Sequence, residues 1–274
     1  MSAAPPHAAA PAPGNAVGHG AGDAAGPLLL TGGSGRLGRE LRALLPDALA
    51  PTRAEVDVTD VVSVRAAFAR LGPAVVVHAA AFTDVPAAER ERAACWRVNV
   101  LGTRHVADAC AEVGALLVHV STDYVFWGDT DPERAARGGY RESDPTGPVR
   151  NAYALSKLAA EDEARRAPRH LIVRTSFRPR AWPYATGFTD VRTSQAYVDE
   201  IAPELALLAR HAAELVDAGV HVLHVAGPPT TVFELARRRK PDVAPATKAE
   251  AGVALPDDVV LDAGLWHRWR VRLA

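Results

Sequence analysis

The feature that most constrains this 274-residue chain is a glycine-rich loop between a short apolar run and a helix-like segment. The run is Pro27-Leu-Leu-Leu-Thr31, the loop is Gly32-Gly-Ser-Gly35-Arg-Leu-Gly38, and Arg39-Glu-Leu-Arg-Ala-Leu-Leu45 follows. A buried strand, a tight turn and a helix in this order bring backbone N–H groups close to a pyrophosphate. The sequence therefore predicts an α/β fold with a dinucleotide site after its first strand.

Short apolar runs and helix-like segments continue to alternate along the chain. Each run suits a strand that is buried on both faces, as in parallel sheets. We expect a Rossmann-type doubly wound parallel sheet with a small, abbreviated C-terminal substrate-binding lobe. The predicted strands are 27–31, 47–51, 74–78, 115–120, 170–175 and 221–225. The predicted helices are 39–45, 61–71, 87–113, 196–216, which Pro203 should bend or break, and 232–239.

The composition divides the chain into three parts. Residues 1–26 are almost wholly Ala, Pro and Gly, with neither a basic start nor an apolar core. This pattern predicts a disordered tail and excludes a signal peptide or a membrane span there. We expect an NAD(P)-binding Rossmann domain at 27–175. Residues 176–274 would then form the substrate-binding lobe, interleaved with the last strand of the sheet.

Charge and cysteine content exclude several classes of function. The 31 basic and 32 acidic residues give a formal net charge of −1, which argues against nucleic acid or an anionic membrane as partner. Cys95 and Cys110 lie outside any CxxC or Cys/His cluster. We therefore expect a reducing compartment, a cytoplasmic location and no metal site.

The chemistry is predicted where a tyrosine and a lysine lie four residues apart. Tyr153 and Lys157 would occupy one face of a helix, one turn apart. A close ammonium group favours the phenolate and lowers a tyrosine pKa from about 10, which improves the phenol as a general acid. Ser121 and Thr122 end a predicted strand, where ligands of an open parallel sheet bind. Either hydroxyl could meet a substrate carbonyl.

Five motifs in this order resemble the extended short-chain dehydrogenase/reductase superfamily. They are the glycine loop, His78-Ala-Ala-Ala81, Asn99-Val-Leu-Gly-Thr103, Ser121-Thr-Asp-Tyr-Val-Phe126 and Tyr153-Ala-Leu-Ser-Lys157. The fourth motif and Ala79-Ala-Ala-Phe-Thr-Asp-Val85 are closer still to the dTDP-4-dehydrorhamnose reductase family. The resemblance covers residues 28–175 well and the remainder loosely.

The resemblance implies a role for each member of the site. Thr122 would polarise the carbonyl, Tyr153 would donate the proton, Lys157 would hold the nicotinamide ribose and Asn99 would support a proton-relay water. The expected substrate contacts are Thr83, Thr122, Tyr124 and Arg178. The expected cofactor contacts are Gly32, Gly35, Arg36, Leu37, Gly38, Arg53, Asp57, Val58, Ala79, Ala80, Ala81, Ser121, Tyr153 and Lys157.

The residues after the second predicted strand bear on the choice of cofactor. NAD sites usually place an acidic residue there to bind the ribose 2′-hydroxyl. Arg53 occupies this neighbourhood and could pair with a 2′-phosphate, so we expect NADPH in preference to NADH. Asp57 could reach the adenine side of either cofactor.

The leading hypothesis is an NAD(P)H-dependent ketoreductase of a 4-dehydro-6-deoxy nucleotide sugar or a related carbonyl compound. Two alternatives are a sugar-nucleotide epimerase or dehydratase with tightly held NAD, and a non-catalytic NADP-binding regulatory subunit. A helix that lines the sugar-nucleotide pocket in the family is missing after Thr175, although Arg178, Arg180 and Trp182 could bind a diphosphate and a base. The chain could form a homodimer.

Overall fold

A five-stranded parallel sheet forms the centre of the protein, whose computed structural model describes residues 26–252 and 254–273. The predicted tail falls, apart from Gly26, outside these residues. The strands are Leu28–Thr31 (β1), Val75–His78 (β2), Leu116–Ser121 (β3), His170–Arg174 (β4), Phe177–Arg178 (β5), Thr186–Phe188 (β6), Arg192–Thr193 (β7), Ala196–Tyr197 (β8), Val222–His224 (β9), Thr230–Thr231 (β10) and Ala244–Ala246 (β11). The sheet order β1-β2-β3-β4-β9 confirms the predicted parallel α/β fold.

Helices cover both faces of this sheet, because consecutive strand residues point to opposite sides. The helices are Arg36–Leu44 (α1), Val61–Leu71 (α2), Val85–Arg90 (α3), Arg92–Trp96 (α4), Gly102–Val113 (α5), Pro132–Ala136 (α6), Ala152–Ala164 (α7), Val198–Arg210 (α8), Ala212–Asp217 (α9), Val232–Arg237 (α10) and Gly264–Leu273 (α11). Leu30 and Val77 pack into the cluster formed with α1, α8, α9 and α11, whereas Leu29 and Val76 pack into the cluster formed with α2, α5 and the end of α7.

The predicted strand at 47–51 is wrong. Only Leu49 pairs with the sheet, through a single parallel bridge to Leu29 beside β1. Pro46 precedes this segment and Pro51 ends it, and proline has no N–H to donate to a strand partner. The chain therefore touches the edge of the sheet once and leaves it.

The long helix predicted at 87–113 is also wrong, because it is divided into α3, α4, a π-helical turn at Arg97–Leu101 and α5. Gly102 begins α5, where a Cβ atom would lie 3.1 Å from Val58 Cγ2. The glycine thus lets the helix approach Val58 closely. The helix predicted at 196–216 breaks at His211, between α8 and α9, and Pro203 lies inside α8. No helix of the described residues is long and apolar enough to cross a membrane.

The C-terminal part of the chain contributes to the sheet and also forms a small lobe. Strand β9 extends the sheet, and α8, α9 and α11 pack on one of its faces. The pairs β6–β11 and β7–β10 form the lobe together with α10, around an apolar cluster that contains Trp182 and Val232. The lobe is interleaved with the sheet, and the boundary at residue 176 stays a prediction.

A buried ion pair joins the middle of the sheet to α7. Arg174 on β4 makes two bonds of 2.9 Å to the Glu161 carboxylate, and the two side chains are only 3% and 1% exposed. The Ser121 hydroxyl donates to the same carboxylate at 2.6 Å. Because both charges are removed from water, each depends on the other for compensation.

Replacing one member of this pair should therefore destabilise the protein strongly. We expect Arg174→Met to lower the free energy of unfolding by about 3–5 kcal/mol, because Glu161 would keep a buried charge without its partner. The control is the double variant Glu161→Gln/Arg174→Met, which removes both charges and should cost clearly less. Denaturant unfolding of the three proteins measures this, and equal losses in the two variants would contradict the assignment.

Candidate active site

The glycine loop brings the backbone of β1 against that of the strand beside it. Gly32 has a φ of +76°, and a Cβ atom there would lie 2.6 Å from the backbone N of Ala80. A Cβ at Gly38 would lie 2.1 Å from the Gly32 carbonyl oxygen, while Gly35 N donates to that oxygen at 2.9 Å. Side chains at Gly32 and Gly38 would push apart the loop, α1 and the residues after β2.

The first turn of α1 has the properties of an anion site. Gly35 caps the helix, and among the described residues no side chain accepts a bond from its first N–H groups. Arg36 is exposed at this end and, with Arg39, lines a cavity of about 580 Å³. The side chain of Leu37 packs into the core, so only its backbone can face a ligand. These residues fit the pyrophosphate of a dinucleotide.

Arg53 and Asp57, both predicted to contact the cofactor, contact each other. The Arg53 Nε atom lies 3.3 Å from Asp57 Oδ2, and the Arg53 side chain is 76% exposed. A hydrogen bond from the Thr59 backbone N–H, with the Thr59 hydroxyl and the Arg53 charge, holds the pKa of Asp57 below its usual range. Val58 is buried against Gly102, so a cofactor could meet only its backbone.

Thr122, Tyr124 and Tyr153 converge just beyond the carboxyl end of β3. Thr122 begins a short 3-10 turn, Asp123–Val125, and its hydroxyl accepts a bond from Tyr124 N at 3.3 Å. Burial raises the pKa of Tyr153, and the neighbouring Thr122 hydroxyl opposes this rise. The Tyr124 ring meets the Tyr153 ring edge-on, with 6.4 Å between centroids. The predicted polarising hydroxyl and proton donor are thus neighbours.

Lys157 lies one turn further along α7 and is buried beneath these residues. Its Nζ donates to the Val120 carbonyl at 2.7 Å and lies 3.3 Å from His119 Nε2. Burial lowers the pKa of Lys157 to about 8, although the Glu161 carboxylate opposes this. The ammonium group bonds to β3. Burial and the Asp123 carboxylate raise the pKa of Tyr153, whereas the sequence predicted that Lys157 would lower it.

Asn99 lies in the π-helical turn with its side chain fully engaged. Its amide oxygen accepts from Phe82 N at 2.7 Å, and its amide nitrogen donates to the Phe82 carbonyl at 3.1 Å and to Ser156 at 2.9 Å. The residue therefore fastens the loop after β2 to α7. Its predicted support of a relay water stays a prediction.

A buried histidine at the end of β2, His78, joins β1 to α5. His78 bonds Thr31 at 2.7 Å through Nδ1 and Thr103 at 3.1 Å through Nε2. Thr103 gives its own proton to the Asn99 carbonyl at 2.6 Å, so His78 must donate through Nε2 and accept from Thr31. Burial lowers the pKa of His78 to about 3, which keeps the ring neutral.

The remaining predicted residues differ in how free they are to bind a ligand. Ala79, Ala80 and Ala81 are half-buried beside the glycine loop, and Thr83 is exposed. The Ser121 hydroxyl is already bonded to Glu161. Arg178 on β5 donates to Gln195 at 2.7 Å, and its charge acts on the Asp123 carboxyl. Their roles as contacts stay predictions.

Three neighbours of the predicted site were missed from the sequence. Asp123 lies inside a motif quoted above, but its carboxyl group received no role. His119 is buried on β3 and contacts Lys157. Gln195, which orients Arg178, comes from a distant part of the chain. The sequence could have indicated Asp123, because it is the one charged residue in the motif that follows β3.

The sheet, the glycine loop and the Thr-Tyr-Lys group together define a protein of the extended short-chain dehydrogenase/reductase class. The family model described as "RmlD substrate binding domain" matches residues 26–187, more than half of the chain. The chain belongs to this family, and the resemblance stated from its motifs is confirmed.

Relatives named dTDP-4-dehydrorhamnose reductase occur in several organisms. The dTDP-4-dehydrorhamnose reductase of Streptomyces griseus is 45% identical over 166 residues, 58% of this chain and 50% of that protein. The protein of the same name from Mycobacterium tuberculosis is 38% identical over 227 residues, 73% of this chain and 69% of that protein. The chain thus spans about half to two thirds of the length of these relatives.

A solved structure extends the likeness to the C-terminal part. The crystal structure of dTDP-4-dehydrorhamnose reductase from Bacillus anthracis in complex with NADP has a TM-score of 0.76 and 27% identity. The match covers 89% of this chain and 92% of that chain. The small lobe is therefore included in the shared fold.

The close approach at Gly38 gives a direct test of the loop. We expect Gly38→Ala to weaken NADPH binding at least about tenfold and to destabilise the protein by about 1–3 kcal/mol, because its Cβ has no space. Gly35→Ala is the matched control, since its Cβ would lie 3.2 Å from the nearest atom, the Gly32 oxygen. Fluorescence titration and denaturant unfolding measure both effects, and similar losses in the two variants would count against the loop geometry.

The burial of Lys157 predicts a gain of stability when its charge is removed. We expect Lys157→Met to raise the melting temperature at pH 7, by roughly 2–4 °C for each kcal/mol gained. Between the folded pKa of about 8 and the unfolded value of 10.5, the folded wild type binds fewer protons than the unfolded chain. Wild-type stability therefore rises with pH in this range, and the advantage of the variant should shrink.

Melting curves from pH 7 to pH 10.5 measure this difference. Lys240→Met serves as control, because Lys240 donates to the Tyr184 carbonyl at the surface. A Lys157→Met protein less stable than the wild type at pH 7 would mean that the ammonium group stabilises the fold.

Proposed function

We propose that the protein is an NAD(P)H-dependent ketoreductase that acts on a 4-dehydro-6-deoxy nucleotide sugar or a related carbonyl compound. The observation that carries the proposal is the meeting of Thr122 and Tyr153 above the buried Lys157, beside a loop that fits a dinucleotide. The names of the relatives support the same substrate class.

When bound, the reduced nicotinamide supplies the hydride. The chain supplies the proton and the orientation of the carbonyl group. Thr122 donates a hydrogen bond to the carbonyl oxygen, and the Tyr153 phenol transfers its proton to that oxygen as the carbon is reduced to an alcohol. The Lys157 ammonium group stabilises the phenolate that remains on Tyr153.

We further propose that NADPH is preferred over NADH. Among the described residues only Asp57 holds Arg53, through an exposed ion pair, and such pairs contribute little to stability. Its guanidinium group can therefore turn to a 2′-phosphate at small cost, and two N–H groups suit a phosphate well. The alternative partner in this place is Asp57, which would accept from a ribose hydroxyl.

The substrate end of the proposed site centres on Arg178. This residue is oriented by Gln195, and its guanidinium group lies 5.3 Å from the centroid of the Trp182 ring. Arg180, suggested as a second diphosphate ligand, makes two bonds to Glu40 on α1 instead. We propose that Arg178 meets the anionic part of the substrate, while Arg180 fastens the lobe to the dinucleotide half.

The first experiment is a reduction assay with NADPH or NADH and dTDP-4-dehydro-6-deoxy sugars. Loss of reduced-nicotinamide absorbance is expected in the wild type, faster with NADPH. Tyr153→Phe should lower kcat by roughly 10²–10⁴-fold, because it removes the general acid. Tyr140→Phe is the matched control, since it loses a buried hydroxyl that accepts from Gly128 N and should keep turnover.

The other outcomes separate the competing functions. Unchanged turnover in Tyr153→Phe would show the mechanism to be wrong. Cofactor that co-purifies and survives dialysis, without net oxidation, would favour an epimerase or dehydratase. Clear NADPH binding without turnover of any carbonyl substrate would favour a regulatory subunit.

A further inference from the structure

The Asp123 carboxyl group is completely buried next to the hydroxyl that should polarise the substrate. Asp123 is 0% exposed, and its Oδ1 lies 2.9 Å from Thr122 Oγ1. Its Oδ2 is also buried and has no hydrogen-bond partner among the residues that the structure describes. A buried polar atom without a partner costs free energy. A proton on Oδ2 would have no acceptor, so if the Asp123 carboxyl group is protonated, the proton belongs on Oδ1.

Counting protons shows why this contact matters. A threonine hydroxyl has one proton to donate, and an ionised carboxylate can only accept. If Asp123 is ionised, the Thr122 proton is directed to Oδ1 and is lost to the substrate carbonyl. If Asp123 is protonated, its proton makes a bond only from Oδ1, where Thr122 accepts it. The Thr122 proton is then free.

We propose that Asp123 is a positioning residue whose protonated carboxyl group donates to Thr122 and so directs the Thr122 proton to the substrate carbonyl. This role rests on the ketoreductase function proposed above. It involves no change of bonding in Asp123 during turnover. The proton stays between the two oxygens, while Tyr153 supplies the proton that is consumed.

The surroundings of Asp123 favour the protonated form near neutral pH. Burial raises the pKa of Asp123 to about 7, although the Thr122 hydroxyl, the nearby Ser176 side chain and the charge of Arg178 on β5 oppose the rise. The other groups that face it are the phenols of Tyr124 and Tyr153, on the same turn and on α7. Burial raises the pKa of Tyr124 to about 12 and also raises that of Tyr153, so both phenols are neutral.

The test is the pH dependence of kcat in the wild type and in Asp123→Asn, from about pH 5.5 to 9. Wild-type kcat should fall as Asp123 ionises near pH 7, by roughly 10²-fold if one donor to the developing oxyanion is lost. The amide nitrogen introduced by Asp123→Asn mimics the protonated acid, so the variant should keep the acid-side kcat and lack this fall. A second fall above about pH 8, from Lys157, should persist in both proteins.

Thr122→Val shows whether Asp123 acts through the hydroxyl. This isosteric variant should be slow at all pH values and lack the fall near pH 7. Adding Asp123→Asn to it should change kcat less than about twofold, because the two residues form one unit. The proposal is overturned if Asp123→Asn keeps the fall, if the wild type has none, or if Asp123→Asn has its full effect in the valine background.

A measurement without substrate separates this proposal from the proposed function. The pKa of Asp123 is about 7 in the folded protein and 3.8 in the unfolded chain. The stability that protonated Asp123 contributes is therefore lost as the pH rises from about 4 to about 7. The melting temperature of Asp123→Asn relative to the wild type should therefore rise between about pH 4 and pH 7. A flat difference overturns the protonation of Asp123 even where reduction is observed. No turnover by the wild type at any pH would instead remove the ketoreductase function, and the positioning role with it.

Discussion

A positive charge buried at the carboxyl end of β3 is the constraint on which the site depends. Lys157 lies beneath the reacting groups, where burial opposes its charged form, and only the Val120 carbonyl and His119 bond to it directly among the described residues. The compensating negative charge is that of Glu161, one turn further along α7. Glu161 is in turn held by Arg174 and Ser121, so the electrostatics of the site extend into the centre of the sheet. Changes to this buried pair should therefore act on Lys157 as well as on the fold.

The loops around Lys157 are held by bonds to the backbone rather than by contacts between exposed side chains. Asn99 fixes both backbone groups of Phe82 and joins them to Ser156 on α7. Gly32 and Gly38 allow the backbones of the first two loops to approach within distances that no Cβ would permit. We expect a surface assembled in this way to change little when a ligand binds, which would favour accurate placement of the reacting atoms.

The sequence predicted those parts of the fold and site that depend on local patterns. The apolar runs of β1 to β4, the glycine loop and the spacing of Tyr153 and Lys157 are all contained within a few residues. The reduction of 47–51 to a single bridge and the direction of the Lys157 ammonium group depend on tertiary contacts instead, with Leu29 in one case and with β3 in the other. The raised pKa of Asp123 depends first on its burial, which the charge of Arg178 from far along the chain opposes, and no local pattern could reveal this tertiary environment.

Burial shifts the pKa values of Asp123 and Lys157 in opposite directions, and both values move toward neutral pH. It raises the pKa of Asp123 and lowers that of Lys157, because an apolar environment disfavours the charged form of each. The acid is then neutral below about 7 and the amine charged below about 8, so one range of pH satisfies both. In that range Thr122 can donate, Tyr153 keeps its proton and Lys157 can stabilise a phenolate. These are the protonation states that reduction of a carbonyl requires, whereas oxidation of an alcohol would need Tyr153 to begin without its proton. Below about pH 7 both buried groups are therefore in the form that the proposed reduction uses.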